Sequence, residues 1–227
     1  MKKIAVIGAG GKMGQEILQI LREQKIKYTG FDSEKNRLNK KALKGHQLVI
    51  DFSSPVGFSE ALKLAVALEI PFISGTTGIS TEQKNQLQLA AKKIPVLWSP
   101  NMSLGIALMK TAIGLFARLK GFDFQIEEFH HHRKKDRPSG TALALQETLS
   151  LALQKAGVTT RLPEPMVMRA GGLVGVHKAY AVSEDELICI EHQALNRKVF
   201  ATGAVRAGMW LSRQKAGLFN LEDMING

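Results

Sequence analysis

Seven residues near the N-terminus, Gly8-Ala9-Gly10-Gly11-Lys12-Met13-Gly14, restrict the folds open to this chain more than any other stretch. They follow Lys3-Ile4-Ala5-Val6-Ile7, a β-branched run that reads as a buried parallel strand, and they precede Gln15 to Leu21, where apolar residues recur at helical spacing. Strand, glycine-rich turn and helix make the opening unit of a dinucleotide-binding fold, with N–H groups at the helix start facing a pyrophosphate. The strict fingerprint would need glycine at position 13, where Met13 stands; glycines at 8, 11 and 14 describe the turn better. Lys27 to Phe31 reads as a second strand ending at Asp32, near the interval at which a carboxylate accepts hydrogen bonds from the adenosine ribose. Asp32 favours NADH. Lys12, Lys35 and Arg37 lie within reach of the same corner and could hold the 2′-phosphate of NADPH, so both cofactors stay open.

Residues 33 to 47 leave room for only a minimal crossover before the strand Leu48 to Phe52. The alternation then becomes regular: a helix over Phe58 to Leu68, a strand over Ile70 to Ser74, a helix over Thr81 to Lys93 and a strand over Pro95 to Trp98. Repeated strand–helix pairs predict an α/β domain with a Rossmann-like parallel sheet, on which ligands bind beyond the carboxyl ends of the strands. Three loops there are rich in small and hydroxylated residues: Asp51 to Pro55, Gly75 to Gly78 and Ser99 to Ser103.

After a long apolar helix over Leu104 to Leu119 the pattern changes. A strand over Phe122 to Phe129, a helix over Thr141 to Gln154 and two strands over Gly175 to Ser183 and Leu187 to Leu195 predict a second, α+β domain with an open mixed sheet. One face of such a sheet is expected to pack against copies of the chain. Lys198 to Arg213 returns to helical spacing, and the tail from Gly217 is expected back on the first domain. The domains expected are thus 1–103 with 207–227, and 104–206 for substrate binding and oligomerisation.

Composition narrows the partners. The 227 residues are 44% hydrophobic, ample for a core, and the single Cys189 excludes an intrachain disulfide framework. Cys189 sits in the apolar run Leu187 to Ile190 and reads as a small buried hydrophobe. No stretch approaches a membrane span, and a soluble cytoplasmic protein is expected. A formal charge of +11 raises the question of nucleic acid, but the cations are spread along the chain and only two Trp and two Tyr are available for base stacking. Small anionic ligands suit the charge better.

The most chemically loaded stretch is Glu127 to Ala142. Pro138-Ser139-Gly140-Thr141 ahead of an apolar-periodic run is a helix N-terminus with Ser139 as N-cap, a place suited to a carboxylate or phosphate. Just before it, His130, Lys134 and Lys135 add the cations and imidazole of a pocket for a small, multiply charged acid. Zinc on His130, His131 and His132 is disfavoured, because neighbouring strand side chains point to opposite faces and nearby cations repel the ion. No metal is expected.

Glu128-x-His130-His131-x-x-Lys134-x-Asp136-x-Pro138-Ser139-Gly140-Thr141-Ala142 resembles the signature of the dihydrodipicolinate reductase family. The resemblance extends to Gly8-x-x-Gly11-x-Met13-Gly14, Asp51-Phe52-Ser53, Gly75-Thr76-Thr77-Gly78, Pro100-Asn101-Met102-Ser103, Gly172-x-Val174-Gly175-x-His177 and Gly203-Ala204-Val205-Arg206. It implies an enzyme of diaminopimelate and lysine biosynthesis, expected to be a homotetramer. Such an enzyme uses NADH or NADPH to reduce the cyclic product of pyruvate and aspartate semialdehyde to tetrahydrodipicolinate.

Carried over by resemblance, Gly8, Gly11, Lys12, Met13 and Gly14 hold the pyrophosphate and Asp32 the ribose. Ser53, Gly75, Thr76, Thr77, Pro100, Asn101 and Met102 complete the cofactor site. Ser139, Gly140 and Thr141 bind one substrate carboxylate and His131 lies along the ring. His130 stabilises developing charge, and Lys134 is the general acid. Arg137 stands where the family usually has a small residue, and the segment from Asp32 to Leu48 is shorter than in many members. Two other readings stay open: another nicotinamide-dependent dehydrogenase of amino or keto acids, and a nucleotide sensor without turnover.

Overall fold

The computed structural model describes residues 3–32, 36–158 and 160–227. The chain divides into two compact units, Met1–Leu104 with Lys198–Gly227, and Gly105–Arg197. In chain order the first unit contains β1 (Lys3–Ile7), α1 (Lys12–Glu23), β2 (Lys27–Phe31), the single turn α2 (Lys40–Leu43), β3 (Leu48–Asp51) and α3 (Pro55–Ala67). It continues with β4 (Phe72–Ser74), α4 (Thr81–Ala91) and β5 (Pro95–Trp98). The second unit follows with α5 (Leu104–Ile113), β6 (Asp123–His130), α6 (Gly140–Lys155), β7 (Met166–Arg169), β8 (Gly175–Val182) and β9 (Leu187–Ala194). The chain then returns to the first unit with α7 (Lys198–Leu211), β10 (Gly217–Phe219) and α8 (Leu221–Asn226).

The first unit is built on a six-stranded sheet in the order β10-β5-β4-β3-β1-β2, with every pair parallel. β3 and β4 are buried along their whole length, and their apolar runs show why: a sheet covered on both faces leaves no polar side. From β1 the chain moves to β2 at one edge, whereas β3, β4 and β5 step the other way. Right-handed crossovers then put α1 on one face and α3 and α4 on the other. The reversal between β1 and β3 is the crevice where such sheets take ligands. Ser80 closes a capping box with Gln83 on α4, which starts at Thr81 as expected, whereas Ser54 caps α3 at Pro55, three residues ahead of the start expected at Phe58.

β10 extends this sheet by pairing with β5. The boundary expected at 207 falls at 198 instead, because all of α7 packs on α1, β3, β4 and β5. Gly203 and Gly208 let it seat closely: a Cβ at Gly203 would collide with the Met102 carbonyl oxygen, and one at Gly208 would lie 2.8 Å from Leu48.

In the second unit α5 ends at Ile113, and Gly114–Arg118 forms a 3₁₀ turn, where a single helix to Leu119 was expected. Gly114 is the weakest helix former in that run and begins the tighter turn. The four-stranded sheet runs β7-β6-β8-β9, with β7 parallel to β6 and the other pairs antiparallel. β7 was not expected, since four residues between Pro165 and Ala170-Gly171 carry no readable period.

Strict alternation along β6 turns Phe124, Ile126, Glu128 and His130 to the buried face. Phe124 and Ile126 pack there with Ala142, Leu145, Leu149 and Leu153 of α6. The other face stays open, with Met166, Met168 and Leu187 about half exposed. Cys189 lies exposed on β9 and is not the buried hydrophobe its sequence neighbours suggested; Ile188 and Ile190 take the inward positions. Among the described residues no helix is long and apolar enough to cross a membrane.

Candidate active site

In the first unit the glycine turn is dictated by close approach. Gly8 has φ +78°, and a Cβ there would collide with the Phe52 carbonyl; a Cβ at Gly14 would collide with the Gly8 carbonyl, so the start of α1 could not seat on the turn. Beside this turn lies a cavity of about 660 Å³, lined by Gly8, Gly10 and Gly11, by Asp32 and Arg37 after β2, and by Ser53, Ser54, Gly57 and Glu60 at the start of α3. Acid and cation thus line one cavity beside the glycine turn.

The loops after β3 and β4 are tied together by Asp51, which is fully buried. The Ser53 hydroxyl donates to its Oδ1, and the Ser74 and Thr76 hydroxyls donate to Oδ2 at 2.6 and 2.8 Å. Burial pushes the Asp51 carboxyl up, against these donors and the Ser53 amide. The Thr76 hydroxyl also accepts from the Ser53 amide at 3.0 Å, and its carbonyl accepts from the Trp98 indole. After β5, Asn101 accepts from the Ser103 amide at 2.9 Å.

In the second unit one buried carboxylate gathers the site. Glu128 and His130 share a face of β6 because they are two apart, and the β8 register sets His177 opposite Glu128. Glu128 Oε1 accepts from the Ser139 amide at 2.9 Å and from Arg169 Nη2 at 2.7 Å. Its Oε2 faces His130 Nδ1 at 3.3 Å and His177 Nε2 at 3.7 Å. The His130 and His177 rings meet edge-on, with centroids 5.1 Å apart. Gly175 gives His130 its room: a Cβ there would sit 3.0 Å from Nε2.

Arg169 also donates to the Asp136 carbonyl, and the Asp136 carboxylate pairs with Lys134 Nζ at 2.9 Å. Ser139 caps α6 by accepting from the Ala142 amide, and nothing crowds the exposed Gly140 beside it.

The electrostatics follow. Burial works to raise Glu128, but the bonds from Ser139 and Arg169 and the charge of His130 bring its carboxyl below the ordinary value. His177 is pushed down to about 4, first by burial and then by His130, against the pull of Glu128. Burial, helped by the cations of Lys134 and Arg169, also lowers His130 against the pull of Glu128.

Glu128, His130 and His177 offer ligand atoms within 4.8 Å of one another, a set that could hold a metal ion. The charge there is already balanced, since Glu128 is paired with an Arg169 side chain only 1% exposed. A divalent ion would add uncompensated charge beside that guanidinium.

Residues 2–102 match the dihydrodipicolinate reductase N-terminal family and residues 105–225 its C-terminal family. A 4-hydroxy-tetrahydrodipicolinate reductase of Bdellovibrio bacteriovorus is 45% identical over 228 residues, covering 99% of this chain and 96% of that protein. The chain belongs to the dihydrodipicolinate reductase family. A reductase of the same name from Lawsonia intracellularis is 36% identical, covering 98% of each chain. Among solved structures, a dipicolinate-bound dihydrodipicolinate reductase of a Paenisporosarcina species shares the fold, with TM-score 0.84, 23% identity and 99% of both chains covered.

Within this family member, the positions marked in the sequence separate into groups. Gly8, Gly11, Asp32 and Ser53 line the cavity, whereas Lys12 and Met13 are not among its lining residues and Lys35 lies outside the described residues. Thr76 is buried with its hydroxyl engaged on Asp51, Thr77 and Pro100 are exposed, Asn101 is half-buried, and Met102 is buried. His130, Lys134 and Ser139 are joined through Glu128, Arg169 and Asp136.

The three histidines diverge. His131 is half-buried, and its amide bonds Leu173; exposed His132 places Nδ1 3.0 Å from the Gly171 carbonyl. Sequence reasoning gave no role to Asp51, Glu128, Arg169 or His177. Alternation with His130 could have found Glu128; Arg169 sits on the unread strand β7.

Proposed function

We propose that this chain is a 4-hydroxy-tetrahydrodipicolinate reductase, reducing the cyclic product of pyruvate and aspartate semialdehyde to tetrahydrodipicolinate with NADH or NADPH. The observation that carries the reading is the joining of His130, the Ser139-capped helix start and the Lys134 loop through one buried ion pair. A ring flanked by two carboxylates is what that combination suits: the Ser139 hydroxyl with the amides of Gly140 and Thr141 for one carboxylate, the Ser139 amide being held by Glu128, and His131 and Lys134 along the ring.

Loss of the 4-hydroxyl as water leaves a double bond conjugated with the ring imine, and a dinucleotide bound at the glycine turn and the Asp32 corner would supply a hydride to its far end. Negative charge then develops toward the ring nitrogen. His130 supports that charge by hydrogen bonding, and Lys134 delivers the proton. Its pairing with Asp136 holds Lys134 in one place until the substrate competes for it. The remaining cofactor contacts fall to Gly75, Thr76, Thr77, Pro100, Asn101 and Met102. For Thr76 and Met102 the burial of the side chains leaves the backbone as the contacting part.

The enzyme works in the cytoplasm as a homotetramer, its copies meeting through the open face of the second sheet, where Met166, Met168 and Leu187 lie exposed. The test is oxidation of NADH and of NADPH, followed by absorbance, with freshly made condensation product. Turnover is expected with at least one cofactor. Binding of cofactor without oxidation of either would instead support the nucleotide-sensor reading.

A further inference from the structure

We infer that Glu128 and Arg169 are the positioning residues of this site, a buried ion pair whose work is geometric: it fixes His130, the Ser139 helix start and the Lys134 loop relative to one another. The inference rests on the reductase reading and adds residues to which that reading gives no part.

Each bond of the pair leads to a different piece of the site. Glu128 Oε1 holds the Ser139 amide at 2.9 Å, so it sets where α6 begins and where its first N–H groups point. Glu128 Oε2 faces the His130 Nδ1 edge at 3.3 Å. A carboxylate so placed makes no hydrogen bond to Nδ1 but electrostatically favours the ring proton on that side, which leaves Nε2 as the nitrogen available to a ligand and stabilises the imidazolium if one forms. Arg169 places Nη1 on the Met168 carbonyl at 2.9 Å and Nη2 on both Glu128 and the Asp136 carbonyl, which anchors the loop bearing Lys134. Only a planar, forked donor reaches all of these at once, so lysine could not replace it.

Stability alone does not account for the pair. Two charges in the interior lose hydration that their attraction recovers only in part, and well-packed apolar residues of similar volume usually serve the fold as well. Glu128 is fully buried, and Glu128 Oε2, His130 Nδ1, Arg169 Nε and both ring nitrogens of His177 make no hydrogen bond within the protein. Buried polar groups are as a rule paired, and here five unpaired ones belong to a single cluster. That condition suits a cluster that presents His130 and Ser139 to a dianionic substrate.

The decisive comparison is between Glu128→Gln and the double variant Glu128→Met with Arg169→Leu. The first leaves a buried guanidinium without its counterion and is expected to melt lower. The second removes both charges and is expected to melt near the wild type. Turnover should fall by about 100-fold in both, with the dissociation constant for NADH unchanged, because the loss is one of alignment. A double variant that melts like the wild type and keeps turnover within about 3-fold would overturn the inference, whichever cofactor is used.

A second measurement does not depend on turnover. In protein labelled with ¹⁵N-histidine, the His130 Nδ1 resonance should move in either variant while that of His46 stays. An unmoved His130 signal would refute the positioning role even if the wild type proved inactive, an outcome that would separately sink the reductase reading.

Discussion

Among the described residues each unit holds one buried carboxylate at or near the end of a strand, and the two are built in opposite ways. Asp51 is met only by neutral donors, three hydroxyls and an amide, and burial raises its carboxyl. Glu128 is met by a guanidinium, an amide and two imidazoles, and the charged form is favoured despite burial. The first arrangement ties loops together with no strong field, which suits a surface that must accept a large cofactor. The second concentrates charge and leaves polar atoms unpartnered, which suits the proposed action on a small dianion. The difference between scaffold and site is thus written in the partners of a carboxylate.

The two should respond to acid with opposite signs, and this is the largest effect expected. His177, at about 4 in the native state against 6.5 unfolded, takes up its proton first in the unfolded chain. Its contribution is therefore intact above pH 6.5 and is lost as pH falls toward 4, by up to about 3 kcal/mol. Glu128, lowered in the native state, adds a further loss below its unfolded value of 4.5. Asp51, raised in the native state, gains stability as pH falls through its native value. Urea unfolding from pH 7.5 to 4, with hydrogen exchange to separate β8 from β3, should show this divergence, and His177→Gln should flatten the β8 response. Parallel slopes in the two strands would break the comparison.

Turnover should divide the same way. Lys134→Ala is expected to lower it by about 100-fold or more, with cofactor binding intact. Steady-state rates alongside fluorescence titration of NADH would measure both. A Lys134→Ala enzyme with near-normal turnover would remove the proton donor from the mechanism.

How much of this was legible in the sequence depends on how each residue signals itself. Gly8 and Gly14 were readable because a strand and a helix flank them and no other residue fits the turn. Ser139 was readable because a cap precedes an apolar period. The parallel sheet followed from regular alternation, and His130 with Lys134 from a dense local run. Arg169 was not readable: it lies 41 positions from Glu128 on a four-residue strand without a period, and only the β6–β7 register brings it close. Cys189 misled because strand composition does not say which face is open; the alternation of exposed Leu187, Cys189 and Glu191 does. The misplaced boundary at 207 has a similar cause. Helical spacing over 198–213 shows that a helix exists, whereas Gly203 and Gly208 show what it packs on only when Met102 and Leu48 are seen against them.

Asp51→Ala sharpens the contrast at smaller amplitude. Three hydroxyls would lose their acceptor, at a cost of about 2 kcal/mol, and the loops carrying Ser53 and Thr76 would loosen. NADH affinity should fall, while turnover at saturating cofactor stays within about 3-fold, since the donors to Asp51 all belong to the first unit. Thermal melts and saturation kinetics check both parts. A drop in saturated turnover as large as that of Lys134→Ala would mean that Asp51 belongs to the chemistry after all.

The smallest effect expected concerns cofactor choice. Asp32 and Arg37 line the same cavity, and they discriminate in opposite senses: a carboxylate accepts from a free 2′-hydroxyl and repels a 2′-phosphate, whereas a guanidinium attracts the phosphate. Lys12, the other described cation considered for that role, is not among the lining residues, so affinity for the 2′-phosphate of NADPH should rest on Arg37. Arg37 is exposed, and one charge-assisted contact in that setting corresponds to about 10-fold in affinity. Arg37→Ala should therefore weaken NADPH by about 10-fold and leave NADH within about 2-fold, measured as paired dissociation constants at one ionic strength. Equal weakening of both cofactors would place Arg37 on the pyrophosphate instead. No change in either would return the question to the segment after Asp32, where Lys35 lies.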